Sequence, residues 1–138
     1  RAHELGADAV LNYRDDPHWS KTLYKMTDRR GVDVVVDNVG QATLTQSMRA
    51  VARGGRIVIV GNTSGPKAEI DIRYIFGKQI SLIGSTMGSH QDFRDVMELV
   101  WDGKLQPVVD RVMPLSEGKT AYAGLERGEQ FGKIVLKP

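Results

Sequence analysis

The sequence predicts an α/β fold with a parallel sheet flanked by helices, on three observations. Short apolar runs alternate with helical patterns along the whole chain, the rhythm of an open α/β sheet. Two of the runs, Val34-Val35-Val36 and Ile57-Val58-Ile59-Val60, are apolar at consecutive positions, which predicts strands buried on both faces beneath helices. Three strands run out into loops of glycine and small polar residues, at Asp37-Asn38-Val39-Gly40, Gly61-Asn62-Thr63-Ser64-Gly65 and Gly84-Ser85-Thr86-Met87-Gly88-Ser89.

Taken in order, Arg1 to Gly6 reads as a helix end, with Gly6 as a stop that tolerates positive φ. The chain opens without Met and inside that helix end, so the expectation is a longer parent. Ala9-Val10-Leu11 is a brief first strand. Asp16-Pro17 predicts an N-cap and a proline at the first helical position, with Trp19, Leu23 and Met26 on one face of the helix that follows. Val32 to Asp37 is a strand, and Leu44, Met48 and Val51 form a helical stripe. Arg56 to Gly61 is the next strand, and a short helix around Ile72 to Phe76 leads to a strand over Gln79 to Gly84. Phe93, Val96, Met97, Val100 and Trp101 fall at the spacing of an amphipathic helix. Val108 to Met113 is a strand whose Asp110 and Arg111 predict one solvated face. Ser116 is the expected cap of a helix to about Glu126, and Lys133 to Leu136 is the last strand.

Composition narrows the function classes. With 41% hydrophobic and 26% charged residues, the 138-residue chain is ordinary globular sequence, long enough for one core. The 19 Lys and Arg are interspersed with 17 Asp and Glu for a net charge of +2, which argues against a nucleic-acid binder. The absence of cysteine excludes disulfides and thiolate metal sites within the chain. No apolar run approaches the roughly 18 residues of a membrane span, so a soluble, cytoplasmic protein is expected.

In open parallel sheets ligands bind beyond the carboxyl ends of the strands, where the three glycine-containing loops are expected. Such loops let backbone approach a flat ligand and offer N–H groups and hydroxyls to its oxygens. Gly and Ser at one such turn need mean no more than turn chemistry; three turns at one sheet edge carry more weight.

The ordered segments "GADAVLNY", "GVDVVVDNVG", "RGGRIVIVGNTSG", "ISLIGSTMGS" and "FGKIVLKP" resemble the cofactor domain of medium-chain dehydrogenases/reductases, in the quinone oxidoreductase and zinc-type alcohol dehydrogenase branches. The resemblance covers essentially the whole chain. It implies an incomplete Rossmann-type domain over residues 1–105 and, over 106–138, a segment returning to the catalytic domain. It also implies an NAD- or NADP-dependent enzyme that transfers hydride to or from a quinone, enone, aldehyde or alcohol. No G-x-G-x-x-G occurs in the chain, so the phosphate-binding turn, like the catalytic domain and any zinc ligands, is expected upstream in the parent. The isolated chain is therefore expected to be inactive.

By the same resemblance, Val39 and Gly40 match a backbone contact near the cofactor adenosine. Gly61, Asn62 and Thr63 match a loop beside the nicotinamide ribose, and Ser85, Thr86 and Met87 a segment that meets the nicotinamide carboxamide. Lys133 matches a basic position near the phosphates. Tyr13 matches a tyrosine beside the adenosine ribose, although as a lone aromatic it reads equally well as an amphipathic strand end. The family layout places two missing strands between Ala9–Leu11 and Val32–Asp37. The strand at 79–84, with Ile80, Leu82 and Ile83 and no charge, resembles the one through which family homodimers join.

Other constellations are weaker. Gly84-Ser85-Thr86-Met87-Gly88 imitates a nucleophile elbow, but the only later histidine, His90, follows four residues on and threonine is a poor nucleophile. His3, His18 and His90 have no metal-ligand spacing, and Asp15-Asp16 reads as capping. The alternative class is a non-catalytic Rossmann-like module for binding or dimerisation.

Overall fold

The computed structural model describes residues 1–138 as two compact units, Arg1–Thr86 and Met87–Pro138. In the first, a 3₁₀ turn at His3–Leu5 ends at Gly6, whose φ of 94° gives the expected left-handed stop. The strand expected at Ala9–Leu11 is not formed; these residues are irregular and Val10 is exposed. An extended segment becomes a strand only by pairing its N–H and C=O groups, and no strand of the sheet neighbours this one.

Helix α1 spans Trp19–Met26. Asp16 is not its N-cap, as expected from the sequence; that position is His18, whose side chain caps nothing. Asp16 acts two residues earlier, accepting hydrogen bonds from the His18 N–H at 2.9 Å and the Thr22 hydroxyl at 2.7 Å.

Strand β1 (Val32–Asp37), helix α2 (Leu44–Ala50), strand β2 (Val51–Ile59), helix α3 (Ile72–Lys78) and strand β3 (Ser81–Gly84) make a parallel sheet of order β1-β2-β3. Ala50 passes directly into Val51, and the sheet register shifts before Arg56. Gly54 there takes a φ of 73°, and a Cβ on Gly55 would lie 2.6 Å from Val51 Cγ2, which accounts for the Gly-Gly pair in "RGGR".

The core of this unit is Leu44, Met48, Val51, Ile57 and Ile80, with Val35, Ile59 and Leu82 packed against it. Each fully buried aliphatic or Met side chain contributes about 1.5–3 kcal/mol by leaving water. Burial of β1 on both faces, expected from its consecutive valines, is not observed: Val35 faces the core, whereas Val36 is 65% exposed and Val34 is exposed as well. Helices α2 and α3 connect successive neighbouring strands and pack against the Val35-Ile57-Leu82 side. The opposite row, Val36-Val58-Ile83, has its two ends exposed.

In the second unit, helix α4 (His90–Trp101) opens with a capping box: the Asp92 N–H donates to Ser89 Oγ at 3.1 Å, and the Ser89 N–H to Asp92 Oδ2 at 2.7 Å. Strand β4 (Val109–Pro114), helix α5 (Gly118–Glu126) and strand β5 (Lys133–Lys137) form a parallel β-α-β pair. Ser116 does not cap α5; it lies inside a 3₁₀ turn at Leu115–Glu117 that precedes the helix. No helix is long and apolar enough to cross a membrane.

Candidate functional site

The carboxyl ends of β1, β2 and β3 share one sheet edge, and there two loops are fastened to each other. Asp37, the last residue of β1, is 3% exposed and organises the first of them. Its Oδ1 accepts from the Val39 N–H at 3.0 Å, the Gly40 N–H at 2.9 Å and the Thr43 hydroxyl at 2.8 Å. Its Oδ2 accepts from the Ser47 hydroxyl at 2.8 Å. Burial alone would raise the Asp37 carboxyl, but the bonds from Gly40, Ser47, Thr43 and Val39 outweigh it and hold the pKa below the ordinary carboxylate value. Gly40 turns the chain with a φ of 86° and comes so near the second loop that a Cβ would lie 3.0 Å from Asn62 Cα.

The second loop is held from both sides. The Val60 N–H donates to Asp37 O, the Ser64 N–H to Val39 O, and Ser64 Oγ both donates to Val39 O and accepts from the Ala42 N–H. Gly61 passes under Asn38, where a Cβ would meet the Asn38 carbonyl at 2.9 Å. The Ser85 N–H ties the end of β3 to Ile59 O at 3.0 Å. Between these fastenings, the backbone N–H groups of Gly61, Asn62 and Thr63 donate to no protein acceptor.

The sequence-derived residues thus divide. Val39, Gly40, Gly61, Asn62, Thr63 and Ser85 are gathered at this edge, and Thr86 follows Ser85 as the last residue of the first unit. Met87, 96% exposed with a φ of 53°, opens the second unit. Lys133 starts β5 there, with its N–H on Val108 O. Tyr13, 42% exposed in a turn before α1, hydrogen-bonds to none of the loop residues. Asp37, Thr43 and Ser47 were missed as a set. Their signal was an acid closing an apolar strand with hydroxyls six and ten residues on, which only the strand-to-helix turn brings together.

A flat ligand with amide and hydroxyl oxygens fits this donor set, because rigid backbone supplies several N–H groups that need no reorganisation. A metal does not: the chain has no cysteine and no group of three or more His, Asp or Glu side chains that could hold one.

Comparison with known proteins adds the lineage. A family model described as zinc-binding dehydrogenase matches residues 5–136. The zinc-type alcohol dehydrogenase-like protein YogA of Leptosphaeria maculans is 33% identical, with 99% of this chain matched to 40% of that protein. An NAD-dependent alcohol dehydrogenase of Sulfolobus acidocaldarius is 34% identical over 99% of this chain and 39% of its own length. The crystal structure of an NAD-dependent alcohol dehydrogenase superimposes with a TM-score of 0.91 at 38% identity, covering 100% of this chain and 40% of that one. The chain therefore spans about two-fifths of the length of the relatives it matches.

Proposed function

The chain belongs to the zinc-binding dehydrogenase family, and from that premise we propose that it supplies the nicotinamide-binding part of an oxidoreductase that moves hydride between NAD(P)(H) and a small carbonyl or alcohol. The carrying observation is the pair of fastened loops whose Gly61, Asn62 and Thr63 N–H groups are left for a ligand. In this reading those residues flank the nicotinamide ribose and Ser85, Thr86 and Met87 take the carboxamide. Val39 and Gly40 lie on the adenosine side, with Tyr13 at its ribose and Lys133 at the phosphates. Residues 1–105 belong to the dinucleotide domain and 106–138 return to the catalytic domain of the parent. The name of the Sulfolobus relative favours NAD over NADP, and an alcohol–aldehyde couple over a quinone or enone. Zinc, where the parent uses it, has its ligands outside these residues.

Bound cofactor carries the hydride, and the protein orients it. With no G-x-G-x-x-G of its own, the chain alone is expected to bind NADH with a dissociation constant weaker than about 1 µM. It should oxidise neither NADH nor NADPH with a panel of aldehydes and quinones. NADH titrated into isotope-labelled protein should shift the amide resonances of Gly61, Asn62, Thr63 and Ser85, and Gly61→Val should remove those shifts. Turnover by the chain alone, or an absence of shifts at the loops, would contradict the proposal, the latter in favour of an inert module.

The homodimer belongs to the same proposal, through residues 79–84. Strand β3 is an edge of its sheet, paired on one side to β2. Leu82 is the wrong residue with which to test it, because it packs against Ile57 in the core. Ile83 points to the other face and is 42% exposed. Ile83→Lys is expected to convert a sedimenting dimer into a folded monomer, since a charge on a sheet edge opposes pairing. A wild-type chain that sediments as a monomer at micromolar concentration would refute the contact.

A further inference from the structure

Away from the loops, α1 along its length with the turn that follows it, the C-terminal part of α2 and the helix α3 line an open cleft of about 470 Å³. Five cations line it (Lys21, Lys25, Arg29, Arg49 and Lys78) and no acidic residue does. The cause lies in the sequence: Trp19–Met26, Leu44–Ala50 and Ile72–Lys78 contain Lys and Arg but no Asp or Glu. Elsewhere the chain pairs its surface charges locally, as Arg30 with Asp33, Arg73 with Asp71 and Arg127 with Glu129. Lys21, Lys25 and Arg29 have no such partner.

Helix C-termini ordinarily repel anions, because their last carbonyls are unsatisfied. Here Lys78 reverses that. Its ammonium donates to Met48 O at 3.2 Å, Arg49 O at 2.7 Å and Val51 O at 2.8 Å, which covers the end of α2 with positive charge. All its donors are used, so it lends charge without competing for a ligand. Arg49 is held by its Nε on Tyr74 Oη at 3.2 Å, leaving its terminal N–H groups for an acceptor. Tyr24 and Tyr74 supply aromatic wall.

We infer that this cleft binds a multiply charged phosphate anion, at a site separate from the cofactor loops. Lys78 sits at the junction of α2 and the start of β2, at the opposite sheet edge from Gly61 and Ser85. Several convergent cations and no carboxylate suit adjacent phosphates, and guanidinium groups bind their oxygens in pairs. The anion is either a free inorganic one or the tail of a nucleotide whose base lies on a tyrosine.

The test is calorimetry on the whole chain at fixed low ionic strength, first with inorganic pyrophosphate and then with ATP. Pyrophosphate is expected to bind with a submillimolar dissociation constant. Neutralising Lys25→Gln and Arg29→Gln together is expected to weaken it at least about tenfold, the size of a lost charge-assisted hydrogen bond. Both side chains are exposed and make no hydrogen bond, so the fold is retained. Arg94→Gln, an exposed cation on α4, should change nothing, and neither should Gly61→Val at the cofactor loops. Tighter binding of ATP that Tyr24→Leu abolishes would identify a nucleotide, and equal binding a free anion. Absence of saturable pyrophosphate binding, or an equal loss in Arg94→Gln, would overturn the site. A loss in Gly61→Val alone would move the anion to the cofactor loops and also overturn it.

Discussion

Asp37→Ala is expected to lower folding stability by about 3 kcal/mol, because the carboxylate is buried and so are two of its partners, Thr43 and Ser47. Removing it leaves the Val39 and Gly40 N–H groups and the Thr43 and Ser47 hydroxyls without their acceptor. Those donors fix the turn from β1 into α2, so the loss also frees the loop that carries Gly40 against Asn62. Asp37→Asn should be milder, since the amide oxygen still accepts from the backbone while the hydroxyls can rotate toward its NH₂. The two differ from wild type in pH dependence as well. The folded pKa of Asp37 lies below its ordinary value, so its contribution is present above about pH 4 and is lost as pH falls through the lower folded value. The gap between wild type and Asp37→Asn in denaturant midpoint should therefore narrow in acid. An Asp37→Ala chain within about 1 kcal/mol of wild type would show that water replaces the carboxylate at no cost.

What could be read in the sequence followed from local physics. The apolar run of β1 and the glycines that close both strands depend on neighbours in the chain, and β1 spans Val32–Asp37 as expected, whereas β2 already begins at Val51, which the sequence places on the preceding helix, rather than at Arg56. The misread parts depend on distant partners. Ala9–Leu11 has the composition of a strand, but composition cannot supply a neighbouring ladder. The valines of β1 announce two buried faces, yet helices cover only the Val35 side in this chain. Asp37 was visible only as part of a loop motif, because its four donors come together through the fold. The cationic cleft was hidden differently. Over the whole chain 19 basic residues nearly balance 17 acidic ones, and that total conceals three helices with no acid among them. Net charge is a sum over sequence, whereas a binding field is a sum over space.

The two compact units make the last prediction, at a glycine none of the functional readings uses. Gly132 has a φ of 101°, and a Cβ there would lie 2.3 Å from Val108 O and 2.8 Å from Val108 Cγ1. Backbone oxygen cannot yield as a flexible side chain can, so alanine must displace the chain at one end of the pair. The left-handed backbone adds about 1–2 kcal/mol for a residue with a Cβ. The displaced atoms are the ones that begin the sheet: the Lys133 N–H donates to Val108 O at 2.8 Å, and Val109 pairs with Lys133 in the next step. A strand pair with little burial around it has no reserve against such a shift, for Ala121 is the only apolar side chain of this unit in the buried core. Gly132→Ala should therefore abolish hydrogen-exchange protection in Val109–Pro114 and Lys133–Lys137, a destabilisation of roughly 3 kcal/mol or more. Protection in Val32–Asp37 and Val51–Ile59 should remain, because their bonds and their core of Leu44, Met48 and Ile57 lie within the first unit. Loss of protection in both units together would show that they unfold as one, and unchanged exchange in β4 and β5 would show that Val108 can move aside without breaking the pair.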